Sequence, residues 1–122
     1  MKKTYIEPVN IGLGKSNHSF LKFLAEELNI FKEMRDGYRY ALAYSISQNL
    51  NPKEITEKGI TTFSLASIDP DGSFKSLIDI LYPDIDLPRY AILERLADVG
   101  MAELANLHSN NQLDVDELLK LS

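Results

Sequence analysis

The chain has 122 residues, with 13 Lys/Arg against 18 Asp/Glu, a net charge of −5, 44% hydrophobic residues and no cysteine. That balance is one of a soluble globular domain with a single core, and the missing thiols exclude disulfide scaffolds, thiolate metal sites and cysteine nucleophiles. Overall acidity argues against coating nucleic acid by bulk electrostatics, yet residues 1–61 hold nine Lys/Arg against seven Asp/Glu and residues 62–122 four against eleven.

Met1-Lys2-Lys3 is followed by Thr4-Tyr5-Ile6-Glu7-Pro8 without the apolar run of a secretion signal. No stretch approaches the length of a membrane span, so the expected compartment is the cytoplasm. Residues 1–16 read as an extended, loosely structured lead punctuated by Pro8 and Gly12-Leu13-Gly14. Ser16 and Asn17 are natural caps for a first helix over 18–29, with Phe20, Leu21, Leu24 and Leu28 on its apolar side and Asn29 at its end.

A second helix is predicted over 31–50, stopped by Asn51-Pro52, its start drawn towards Asp36 by Gly37. Phe31, Met34, Tyr38, Ala41, Leu42 and Ser45 follow helical spacing, and Tyr40 and Tyr44 fall on the opposite side. A helix apolar on two sides is central or covered on its back by a partner. Residues 60–68 suit a short strand and a short buried helix equally. Asp69-Pro70-Asp71-Gly72 is a turn, after which Ser73 can cap a helix carrying Phe74, Leu77, Ile78 and Leu81.

Asp86-Leu87-Pro88 opens the most regular helix, with aspartate at the cap and proline in the first turn. Tyr90, Leu93, Ala97, Gly100, Met101, Leu104 and Leu107 form its buried face, while Glu94, Arg95 and Asp98 are expected to point away. Gly100 on that face implies a second helix packed closely against it. A last helix over 113–121 begins with Asp114, Asp116 and Glu117, which suit the positive end of a helix dipole. The expected architecture is a mainly α single domain (residues 1–122) of about five helices, with a small strand element near 60–68.

Chemistry-bearing motifs are sparse. Gly14-Lys15-Ser16 resembles the end of a phosphate-binding loop, but position 9 is Val where that loop needs glycine. Asp69-Pro70-Asp71-Gly72 lacks the spacing of a calcium loop, with glycine fourth and Ile80 at the twelfth position. His18 and His108 have no companion ligand at metal spacing. No catalytic residue, cofactor or metal ligand is assigned. Asp69, Asp71, Asp79, Asp84 and Asp86 cluster in sequence, but turns and caps use aspartate for local backbone hydrogen bonds.

The basic residues carry more. On a helix, Lys32, Arg35 and Arg39 fall within about 60° of one another, and Lys15 and Lys22 precede them. Such a strip suits phosphates or an acidic protein surface, or is a solvated face paired locally with residues such as Glu33 and Asp36.

The stretch from Phe31 to Ala43 (FKEMRDGYRYALA), with Glu94 to Leu104 (ERLADVGMAEL), resembles a small prokaryotic family of accessory proteins found with DNA phosphorothioation (Dnd) systems. That family shows a phenylalanine, an aspartate and an alanine-rich helix, and closes with a Glu…Ala…Gly…Leu helix. The similarity covers about a third of the chain and implies a helical accessory protein of a bacterial DNA-modification or defence cluster, with no active-site residue to carry over.

Three functions follow as expectations. The first is a non-enzymatic interaction or adaptor protein whose contact surface, for a protein partner or a second copy, is formed by Tyr40 and Tyr44 with Lys32, Arg35 and Arg39. The second is a DNA- or RNA-binding accessory using that strip with Lys15 and Lys22. The third is a small hydrolase using the aspartates near 69–86.

Overall fold

Two helices that the sequence marks as central pack lengthwise on each other. In the structure, a computed structural model that describes residues 8–57, 59 and 63–114, these are α2 (Met34–Ser47) and α5 (Arg89–Ser109). They run antiparallel, because Gly100 lies against Ala41 while Leu96, one turn earlier, accepts the Ser45 hydroxyl. A Cβ at position 100 would stand 2.3 Å from the Ala41 carbonyl oxygen, so only glycine admits this approach. That is the close packing expected from Gly100. Ser45 resolves its own burial by donating to the Leu96 carbonyl, since a buried hydroxyl without a partner is costly.

The other elements wrap this pair. They are β1 (Asn10–Ile11), α1 (Lys15–Lys22), a π-helical turn (Phe23–Glu27), β2 (Phe63–Ser64), α3 (Leu65–Ile68) and α4 (Ser73–Leu81). β1 and β2 pair antiparallel, Asn10 opposite Ser64 and Ile11 opposite Phe63. The ambiguous 60–68 segment is therefore both things in succession over its described part, a strand residue pair and then one helical turn. The core joins Ile11 and Leu13 from the lead, Leu21 and Leu24, Tyr38 and Leu42 from α2, Ile78 from α4, and the inner face of α5. The molecule is a mainly helical single domain with a small two-stranded sheet.

Several boundaries differ from expectation, each for a local reason. The first helix begins at Lys15, not 18, with Gly14 at its N-cap. Ser16 does not cap it but donates to Glu57, and Asn17 donates to Asp98. Its last turn widens to π geometry, the Leu28 N–H reaching the Phe23 carbonyl, before Asn29 ends it at φ 52°. α2 starts at Met34 rather than 31 or 36, because the Asp36 carboxylate accepts the Glu33 N–H and fixes the first turn there. Gly37 is required by contact: a Cβ would meet Leu21 at 2.4 Å. α2 ends at Ser47, with Asn49 at φ 54° turning the chain before Asn51-Pro52 is reached. α5 starts at Arg89, with Pro88 as its N-cap residue. Of the helix expected over 113–121, residues 115–121 lie outside the described ones, and Leu113 and Asp114 are not helical.

The largest correction concerns the lead and the outer face of α5. The described part of the lead is not loose: Ile11 and Leu13 are buried, and Tyr38 donates its hydroxyl to the Gly12 carbonyl at 3.0 Å. Glu94 and Asp98, expected to face water, instead accept the Gly12 and Gly14 N–H groups at 2.8 and 2.7 Å. One helical turn separates these two carboxylates, and the N–H groups two residues apart on an extended strand meet that spacing. Each satisfies a backbone donor that burial would otherwise leave unpaired. Tyr38, deep beside them, has its phenol pushed well above its ordinary value, first by burial and then by the charges of Glu94 and Asp98.

Candidate interaction surface

α4 is nine residues long and mostly apolar, and its N-terminus is fixed by a residue outside it. Asp69, buried, accepts the N–H groups of Phe74 and Lys75 at 2.9 and 3.1 Å, while Gly72 turns the chain at φ 73°. The cap is thus Asp69 rather than Ser73. At the other end the Arg89 guanidinium donates to the carbonyls of Tyr82, Ile85 and Leu87, closing the connection to α5.

Held at both ends, α4 turns Ile78 fully inward, with Phe74 half-buried on the same side. Leu77 and Leu81, expected in that buried face, lie 41% and 47% exposed, and Ile80 is 72% exposed. By the 100° advance per residue these three fall within about 100° on the outer side. The other large exposed apolar residues, Val9 and Leu28, sit on different elements. Single exposed aliphatics are ordinary, and three gathered on one helix make this face the candidate contact surface. The signal was present in the sequence: five of nine residues in α4 are large and apolar and they spread over about 160° of the helix, and a peripheral helix docks only part of so wide an arc.

α4 packs chiefly on α5, and two side-chain contacts link it to the α2 region. The Arg39 guanidinium rests over the Phe74 ring, 5.9 Å from its centroid, near the start of α4, and Tyr82 donates to the Leu50 carbonyl past the end of both helices. Arg39 is exposed and makes no ion pair within 4 Å among the described residues. Asp71 stands at the same end, its carboxyl held below the ordinary value chiefly by hydrogen bonding from Ser73, with a smaller contribution from Arg39.

The remaining strip residues scatter. Lys32 precedes the start of α2, so the helical angle that grouped it with Arg35 and Arg39 does not apply. Arg35 pairs with Glu33 at 2.7 Å. Lys15 and Lys22 are exposed on one side of α1, a separate helix. Tyr40 and Tyr44 are half-buried, Tyr40 packed on Phe31 with ring centroids 5.8 Å apart. The Tyr44 phenol is raised by burial and then by Glu103 of α5. They lie about 100° and 140° around α2 from Arg39. The two tyrosines thus flank α5 and the first-helix region, and Arg39 alone among the seven candidate residues borders α4.

The carboxylates near 69–86 disperse. Asp69 and Asp71 are taken up by the α4 N-terminus, and Asp79 faces Arg89 at 3.9 Å. Among the described residues no group of three His, Asp or Glu comes together to hold a metal. His108 packs edgewise between Phe20 and Phe23, with centroids 5.7 and 5.6 Å away. His18 buries its Nδ1 without a hydrogen-bond partner. No helix of the described residues is long and apolar enough to cross a membrane. No family model, curated protein or solved structure matches this chain.

Proposed function

We propose that this chain is a non-enzymatic interaction module of the bacterial cytoplasm, an accessory or adaptor subunit that meets a protein through the outer face of α4. One observation carries the reading: Leu77, Ile80 and Leu81 stand exposed together on a helix whose adjoining side is docked through Ile78 and Phe74 and whose ends are tied down. Burying a large aliphatic side chain is worth roughly 1.5–3 kcal/mol, so a partner covering this face gains from each of the three. Arg39 at the border supplies a cation that no carboxylate pairs within the monomer's described residues. The similarity to accessory proteins of phosphorothioation systems supports a place in a DNA-modification or defence assembly.

The test is affinity capture by the full chain from a bacterial lysate, with and without nuclease. It is followed by reconstitution of the complex from purified components. The reading expects a protein partner that survives nuclease, is lost with Ile80→Asp and is kept with Lys15→Glu/Lys22→Glu. Retention that disappears with nuclease, weakens steeply with salt and ignores Ile80→Asp overturns it in favour of nucleic-acid binding through the lysines.

A further inference from the structure

We draw no further inference here: the strongest candidate, the exposed Leu77, Ile80 and Leu81 patch on the outer face of α4, belongs to the surface already described, and nothing in the structure shows what covers it.

Discussion

α4 and α5 are both rich in large apolar residues, yet they use them in opposite ways. α5 is enclosed by α2, α4, α1 and the lead, so Ile92, Leu93, Leu96, Ala97, Met101 and Leu104 are all buried, and even its polar side is occupied where Glu94 and Asp98 hold the lead. α4 lies at the edge, docks Ile78, and leaves Leu77, Ile80 and Leu81 outside. Apolar content alone does not distinguish the two helices. What distinguishes them is how many neighbours reach each one, which is set by topology. The face that the fold leaves uncovered is the one available to a partner.

Substitutions can break or sharpen this contrast, and the largest effects belong to α5. Gly100→Ala should destabilise by about 2–3 kcal/mol in urea unfolding, although alanine favours a helix, because its Cβ would strike the Ala41 backbone. Asp98→Ala leaves the Gly14 N–H without its acceptor, takes from the Asn17 amide one of its two, and should cost about 2 kcal/mol by the same measurement. Asp69→Ala removes two acceptors from the start of α4 and should cost about 1–2 kcal/mol. A loss below about 0.3 kcal/mol would show that α4 is not fixed by that cap.

Tyr38→Phe should cost about 1 kcal/mol near neutral pH through the lost hydrogen bond to Gly12. It also has a pH signature. The folded phenol titrates above its ordinary value of 10.0, so its contribution is complete below pH 10 and is lost as the pH climbs towards the folded value, where the unfolded chain releases its proton first. Unfolding curves from pH 8 to 11.5 should show wild-type stability falling above about pH 10, with a shallower fall in Tyr38→Phe. The remaining slope belongs in part to Tyr44 and Tyr82, whose phenols are raised by burial. The smallest effect closes the series: Leu77→Ser and Ile80→Ser should each change stability by no more than about 0.5 kcal/mol.

Much of the helical frame was legible in the residues. Periodicity marked both α2 and α5, and the small residue at position 100 called for a close helix neighbour without saying which, and the Asp69–Gly72 turn and the start of α4 after it were readable from proline, aspartate and glycine chemistry. Glu94 and Asp98 were misread because a carboxylate on a helix's polar side looks the same whether it meets water or a backbone N–H from 80 residues away. The buried lead escaped notice since Ile11 and Leu13 alternate with Gly12 and Gly14, which read as loop punctuation rather than as strand. For the proposed surface, Arg39 was among the sequence candidates, while Tyr40 and Tyr44, grouped with it by sequence, stand on a different flank from α4. The exposed face was missed because Leu77 and Leu81 satisfy helical spacing with Phe74 and Ile78, and spacing cannot tell how wide a face the neighbours cover.

Side-chain hydroxyl-radical footprinting tests most directly whether the outer face of α4 is a contact surface. Labelling of Leu77, Ile80 and Leu81 is compared with that of Val9 and Leu28, also apolar and exposed but outside α4, in the dilute free chain and in the reconstituted complex. The prediction is that the α4 residues become protected while the Val9 and Leu28 signals hold. Unchanged labelling of α4 in a complex that protects other residues would contradict it.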